Sequence, residues 1–418
     1  MTVKPGYKQT EVGIIPNEWQ VTTAANICEL VVDCKNRTPP LCNDESFAVV
    51  RTPNVRDGQF VREDLRYTDL SSFIKWTERA TPRTGDIFIT REAPLGEVCM
   101  APSDLKVCLG QRMMMYRPDT VNVTSSFLLY ALLSEQVRKN LLEKVGGSTV
   151  GHAKVDDIRF LTVPLPSMEE QRAIAAALSD ADEWIARLDR LIAKKRDIKQ
   201  AAMQQLLTGK TRLPGFKGAW TIATLRDVCG FENGDRGGNY PSKADFTEGG
   251  YAFINAGHVR DGKIDKRSLD FITKEKYDSL GGGKFFPGDI LFCLRGSLGK
   301  FGVVDGDSGA GAIASSLIIV RPRANVSPRF LVSYFKSDLC KKMIEKWAGG
   351  AAQPNLGGQD LARFQIYLPP TFEEQDAIGS AISDTDAEID QLEAKRDKAR
   401  SIKQGMMQEL LTGRVRLI

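Results

Sequence analysis

Residues 166–213 read PSMEEQRAIAAALSDADEWIARLDRLIAKKRDIKQAAMQQLLTGKTRL, and residues 370–417 read PTFEEQDAIGSAISDTDAEIDQLEAKRDKARSIKQGMMQELLTGRVRL. The two stretches align without a gap. Gln171 and Gln375, Gly209 and Gly413, and Leu213 and Leu417 are each 204 residues apart. About half the positions are identical, and a repeat of this length constrains the architecture before any local pattern does.

Each copy reads as one long helix. Ser167-x-x-Glu170 and Thr371-x-x-Glu374 have capping-box spacing, each directly after a proline that a helix interior would not accept. Gly209 and Gly413 suit the left-handed position that stops a helix. About 40 residues lie between these signals, roughly 60 Å of helix, which needs a partner along its length. The apolar spacing supplies that partner. Ile174, Leu178, Ala181, Ile185, Leu188 and Ile192 advance in alternating steps of four and three, as do Ile378, Ile382, Thr385, Ile389 and Leu392. This is a coiled-coil seam. It turns polar at Lys195, Lys199, Arg396 and Lys403 and resumes at Leu206 and Leu410. Both helices are acidic early (Glu169, Glu170, Asp180, Asp182; Glu373, Glu374, Asp384, Asp386) and basic late (Lys194, Lys195, Arg196, Lys199; Lys395, Arg396, Lys398, Arg400). Antiparallel pairing sets acidic halves against basic halves. Each exposed pair contributes little, but together they set orientation, and the trend suits each helix dipole. The expectation is an antiparallel two-helix coiled coil.

The repeat extends beyond the helices. Trp19-x-Val21-x-Thr23 returns as Trp220-x-Ile222-x-Thr224, and Val55-Arg56-Asp57-Gly58 as Val259-Arg260-Asp261-Gly262. Gly85-Asp86-Ile87-Phe88 returns as Gly288-Asp289-Ile290-Leu291, Arg117-Pro118 as Arg321-Pro322, and Arg159-Phe160 as Arg363-Phe364. The chain is a tandem duplication of a globular domain followed by a long helix, with expected bounds 1–164, 165–213, 214–368 and 369–418. Within the globular parts, Phe47–Arg51, Asp86–Thr90 and Met113–Tyr116, with Tyr251–Ile254, Asp289–Leu294 and Ser316–Val320, read as short buried strands. Ser125–Lys144 and Pro328–Lys346 read as helices, ended by Gly146-Gly147 and Gly349-Gly350. The fold class is α+β, built on a twisted, largely antiparallel sheet.

Composition bounds the function loosely. The chain has 418 residues, with 57 Lys and Arg against 53 Asp and Glu, so net charge alone announces no nucleic-acid partner. Residues 1–20 hold no apolar leader segment and no run is long enough to span a membrane, which points to the cytoplasm. The eight cysteines form no CxxC pair, and with His152 and His258 the only histidines, buried free thiols are a better reading than zinc.

The duplicated P-x-x-EEQ helix ending LLTG, alternating with two divergent domains opened by the Trp-x-Val/Ile-x-Thr segment, resembles the specificity subunit of type I restriction–modification systems. Asp235-Arg236-Gly237-Gly238-Asn239-Tyr240-Pro241, Phe253-Ile254-Asn255, Leu294-Arg295-Gly296-Ser297-Leu298-Gly299-Lys300 and Gly349-Gly350-Ala351-Ala352-Gln353-Pro354-Asn355-Leu356 resemble segments of its target recognition domains. The resemblance covers essentially the whole chain. The first domain departs from it. Its Thr90-Arg91-Glu92-Ala93-Pro94-Leu95-Gly96 lacks the RGSLG form, and Gly146-Gly147-Ser148-Thr149-Val150-Gly151-His152 lacks Gln-Pro-Asn. The resemblance implies a non-catalytic subunit in which each domain reads half of an asymmetric, two-part site on double-stranded DNA. It also implies two methyltransferase subunits and two motor-nuclease restriction subunits as partners. No cofactor is expected in this chain; S-adenosylmethionine, ATP and Mg belong to those partners. The antiparallel helix pair becomes a spacer that relates the domains by an approximate twofold axis and fixes the gap between half-sites, and the two termini are expected to lie close together. The outer helix faces are the expected partner surface, with Trp184, Met203 and Met407 as possible anchors.

Arg and Lys pair with guanine edges, Asn and Gln with adenine. Candidate readers in the first domain are Arg37, Thr38, Asn54, Arg91, Ser148, Thr149 and His152. In the second they are Arg236, Asn239, Tyr240, Asn255, His258, Arg295, Lys300, Gln353 and Asn355. The competing reading for each is a loop residue satisfying its own turn. Arg91 and Arg295 read as matched positions, with ion pairs to Asp86 and Asp289 as their alternative role. Catalytic motifs are missing. No Asn/Asp-Pro-Pro-aromatic stretch is present, Gly209-Lys210-Thr211 follows a helix rather than opening one, and Asp197-Ile198-Lys199 lies in a charged helix. The rival class is a duplicated scaffold that holds a non-DNA ligand at a fixed spacing.

Overall fold

The computed structural model describes residues 4–146, 151–348 and 355–418. The chain forms two compact units, Met1–Asp189 with Lys395–Ile418, and Arg190–Ala394. The first contains a four-stranded antiparallel sheet in the order Val98–Met100, Ile87–Thr90, Met113–Pro118, Cys28–Asp33. Beside it lies a three-stranded sheet, Val107–Leu109, Phe47–Val50, Arg66–Thr68, whose first pair is parallel. The second unit repeats the four-stranded order as Phe301–Val303, Ile290–Cys293, Leu317–Pro322, Cys229–Asn233. Its other sheet has five strands and also contains one parallel pair, Tyr251–Ile254 with Gly311–Ile313. In each unit the Trp-x-Val/Ile-x-Thr segment pairs antiparallel with the strand that precedes the long helix, Gln20–Thr23 with Thr162–Leu165 and Thr221–Thr224 with Gln365–Leu368. The sheet cores rest on alternating apolar faces filled by Ile87, Ile89, Met114 and Tyr116, or by Ile290, Phe292, Ile318 and Val320.

The long helices span Met168–Leu206 and Phe372–Leu410, 39 residues each. In the first unit the start of one packs beside the end of the other, with Ile174 and Leu178 sharing a core with Leu410 and Leu411. The second unit does the reciprocal, joining Met203, Leu206 and Leu207 to Ile378 and Ile382. Pairing is antiparallel in both. Lys403 meets Asp182 at 2.5 Å and Arg396 meets Asp189 at 3.6 Å in the first unit. In the second, Lys195 meets Glu388 at 2.5 Å, and both Lys199 and Lys336 meet Asp386. Partial burial opposes ionisation of Asp386, yet those two ammoniums hold its carboxyl below the ordinary carboxylate range. Gly209 and Gly413 take φ of +67° and +65°, and a Cβ on Gly413 would lie 2.4 Å from Pro16. These glycines serve both the turn and the close approach.

Two local expectations are corrected. Ser167 and Thr371 do cap, accepting the amides of Glu170 and Glu374 at 3.2 Å, but the glutamates do not reach back. Glu170, 1% exposed, accepts from the Trp19 indole at 2.9 Å and from the Arg416 guanidinium at 2.9 Å. Glu374 does the same with Trp220 at 3.2 Å and Arg212 at 2.6 Å. The following glutamines are also buried: Gln171 accepts the Thr124 amide at 3.0 Å, and Gln375 the Ser327 amide at 2.9 Å. The repeated EEQ is therefore the joint between each domain and the helix pair. With Tyr7 donating to the Gly413 carbonyl at 2.9 Å, segments near both ends of the chain meet in one unit. The second correction concerns Ser125–Lys144 and Pro328–Lys346, each of which is two helices. Ser134 and Ser337 break them and cap the second piece, each hydroxyl accepting an amide at 3.4 Å. Of the glycine pairs expected to end these helices, Gly147, Gly349 and Gly350 lie outside the described residues. Among the described residues no helix is long and apolar enough to cross a membrane.

Candidate nucleic-acid interface

Strand register gathers the candidate loops. In the first unit Asp33 pairs with Met114, Thr90 with Met113, and Val50 with Leu109. The loops after residues 33, 50, 90 and 109 therefore open at one end of the sheets. In the second unit Asn233 pairs with Ile318, Cys293 with Leu317, and Ile254 with Ile313, so the loops after 233, 254, 293 and 313 open at the corresponding end.

Arg91 ties three of the first unit's loops together. Its amide donates to the Arg112 carbonyl at 2.9 Å, its Nε to the Ala153 carbonyl at 3.0 Å, and its Nη2 lies 3.0 Å from His152 Nε2. The Glu92 carboxylate receives Arg112 at 2.6 Å and His152 Nδ1 at 3.3 Å. Because Arg91 can only donate, His152 accepts at Nε2 and carries its proton at Nδ1, facing Glu92. Thr38 joins the group by accepting the Gln111 amide at 3.4 Å. Arg37 is exposed, with its guanidinium 5.8 Å from the Trp76 ring. The site thus presents three guanidiniums, an imidazole, a carboxylate and the exposed Gln111 side chain, a mixture of donors and acceptors suited to base edges.

In the second unit Arg236, Asn239, Arg295, Lys300 and Asn355 are exposed. Tyr240 packs edge-on to Phe253 at 5.7 Å and is 38% exposed as a residue. Asn255 bridges to Asp270 at 3.2 Å and accepts the Gly257 amide at 2.8 Å. Two candidates face inward. Asn54 is fully buried, accepts the Arg51 amide at 3.1 Å and donates to the Val61 and Glu63 carbonyls at 3.2 Å. His258, at the matching place, is 7% exposed and accepts the Asn255 amide at 3.3 Å. Both clamp the turn before the Val-Arg-Asp-Gly hairpin, and the buried Asn54 amide leaves no polar edge for a base. Ser148, Thr149 and Gln353 lie outside the described residues.

The structure changes one correspondence. Thr90 takes the Glu97 carbonyl and Cys293 the Lys300 carbonyl; Ala153 donates to Arg91 and Leu356 to Leu294. Arg91 therefore matches buried Leu294, and Arg295 matches Glu92, not Arg91. The expected alternative partners differ as well. Asp86 is held by Arg117 at 2.8 Å and Asp289 by Arg321 at 2.7 Å.

The sequence matches the family model described as "Type I restriction modification DNA specificity domain" twice, over residues 16–195 and 217–399. The chain belongs to this family of type I specificity subunits. It is 23% identical to the type I restriction enzyme MjaVIII specificity subunit of Methanocaldococcus jannaschii, over 96% of this chain and 94% of the relative. It is 20% identical to the EcoKI specificity subunit of Escherichia coli K12, over 88% and 82%. A type I system S subunit from M. genitalium shares its fold with a TM-score of 0.59 at 17% identity, covering 98% of each chain. A chain from a structure of type I R-M system assembly aligns with a TM-score of 0.60 at 19% identity, over 96% and 99%.

Three residues that join this candidate site escape sequence reasoning: Glu92, Gln111 and Arg112. Their one signal is position. Gly110-Gln111-Arg112 directly precedes a strand whose first four residues are buried, and a Cβ on Gly110 would lie 2.8 Å from the Val50 carbonyl. Of the expected anchors, Trp184 is 54% exposed, whereas Met203 is buried in the core beside Ile378.

Proposed function

We propose that this chain is the DNA-reading subunit of a type I restriction–modification enzyme, each globular domain reading one half of an asymmetric two-part site. The supporting observation is a matched framework with unmatched loops. Glu92 stands where Arg295 does, and Gln111 and Arg112 where Ser315 and Ser316 do. A carboxylate accepts from cytosine or adenine amino groups while a guanidinium donates to guanine, so the half-sites differ. Arg37, Thr38, Arg91, Glu92, Gln111, Arg112 and His152 carry the first reading, and Arg236, Asn239, Tyr240, Asn255, Arg295 and Asn355 the second. The chain performs no chemistry. Two methyltransferase subunits use S-adenosylmethionine, and two restriction subunits use ATP and Mg, at sites of their own in the cytoplasm. These partners dock on the outer helix faces, where Trp184 is exposed. Each long helix, about 58 Å at 1.5 Å per residue, sets the unspecific gap. Replacing residues 214–368 with those of another family member tests this reading: mapped methylation should change in one half-site and keep the other. A change in both halves would refute modular reading.

A further inference from the structure

A cleft of about 1300 Å³ opens in the second unit between the hairpin Val259–Ile264, the loop ending at Lys300, the helix Asp338–Trp347 and the long helices. Eight Lys and Arg line it against five Asp and Glu. Four of those carboxylates are already committed: Asp261 to Arg260, Asp265 to Arg267, Asp390 to Lys263, and Asp386 to Lys199 and Lys336.

The first unit explains the excess charge. Contacts fix the correspondence between units. A Cβ on Gly96 would meet Leu141 and one on Gly299 would meet Ile344, just as Gly58 faces Leu133 and Gly262 faces Lys336. Glu97 therefore corresponds to Lys300, and Arg138 to Lys341. In the first unit the Glu97 carboxylate, 7% exposed, accepts the Asp57 amide at 2.7 Å and pairs with Arg138. In the second unit that acceptor is gone. Lys300 stands in its place, exposed and without an ion pair among the described residues. Among the described residues Lys341 pairs only with Asp338, three residues earlier on its own helix. The Asp261 amide, matching Asp57, has no acceptor among the described residues. The donors that meet one carboxylate in the first unit are retained, and a further ammonium replaces the carboxylate.

We infer that Lys300, Lys341 and the Asp261 amide form an anion site in the second unit that takes a backbone phosphate of duplex DNA. This deepens the DNA-reading proposal and rests on it. The loop that ends at Lys300 begins at Leu294 and Arg295, so a strand read by Arg295 continues past Lys300. The second half-site consequently carries more of the salt-dependent affinity than the first.

The test is duplex binding by the full chain between 50 and 200 mM salt, with DNA of arbitrary sequence. Lys300→Glu rebuilds the pairing of the first unit against Lys341, so the fold is retained. It should lower the slope of log K against log salt by about one to two, at roughly 0.9 per phosphate contact, and Lys341→Gln by about one. A steep wild-type slope unchanged in both variants overturns the site while leaving DNA reading intact. A wild-type chain without salt-dependent duplex binding overturns DNA reading itself. Inorganic phosphate titrated at fixed ionic strength separates the sources. Phosphate binding lost in Lys300→Glu with the DNA slope unchanged assigns the site to free phosphate and overturns the DNA assignment.

Discussion

Truncating Glu170 to alanine should destabilise the first unit by about 3 kcal/mol. The side chain is 1% exposed and accepts from both Trp19 and Arg416. Its removal strands the Trp19 indole N–H, itself 1% exposed, at a cost of about 1–3 kcal/mol for a buried donor left unmade. It also removes the buried partner of Arg416. Losing one member of a fully buried pair costs about 3–5 kcal/mol, but this guanidinium is 31% exposed and keeps Glu18 at 3.1 Å, so its share is smaller. For a unit of roughly 200 residues, 3 kcal/mol corresponds to a fall in melting temperature of about 6–12 °C. Calorimetry and urea unfolding of Glu170→Ala, Arg416→Ala and the double variant check the argument. The double variant should lose at least about 1 kcal/mol less than the sum of the singles, because the groups share one network. A loss below about 1 kcal/mol for Glu170→Ala, or strict additivity, would refute the joint as described.

Other outcomes follow from the same structure. Four residues inserted after Gln204 lengthen the first long helix by about 6 Å, and the gap in the mapped site should grow by one or two base pairs; an unchanged gap would sink the spacer role. Arg295→Gln should relax base choice in the second half-site, with a loss of about 1–3 kcal/mol of discrimination, whereas Asn54→Ala should lower the unfolding midpoint and leave both half-sites as they were. Burial pushes the thiols of Cys28, Cys99, Cys108, Cys229, Cys293 and Cys340 up to about 12. They are therefore neutral at pH 8, and alkylation by iodoacetamide should be slow until the chain is unfolded, since the thiolate is the reactive form.

The helices were legible because periodicity, caps and charge all agree over a long span. Even so, Glu170 and Glu374 looked like capping-box partners, since spacing alone does not reveal that a tryptophan and an arginine distant in sequence compete for the carboxylate. Loop chemistry was harder to read. Asn54 and His258 have the composition of surface readers, but their side chains replace backbone partners inside a turn. Arg91 and Arg295 both open a loop ending in Leu-Gly, which invites alignment one residue out of register; only the backbone hydrogen bonds from Ala153 and Leu356 correct it. That correction changes the chemistry, because it sets Glu92 against Arg295 and thereby separates the two readings.

The most direct test is sequencing-based mapping of N6-methyladenine in a host carrying this chain with an active methyltransferase of the same system. The account predicts an asymmetric two-part motif that disappears when this chain is deleted and changes in one half when residues 214–368 are replaced. An active methyltransferase whose methylation pattern is the same with and without this chain would contradict it.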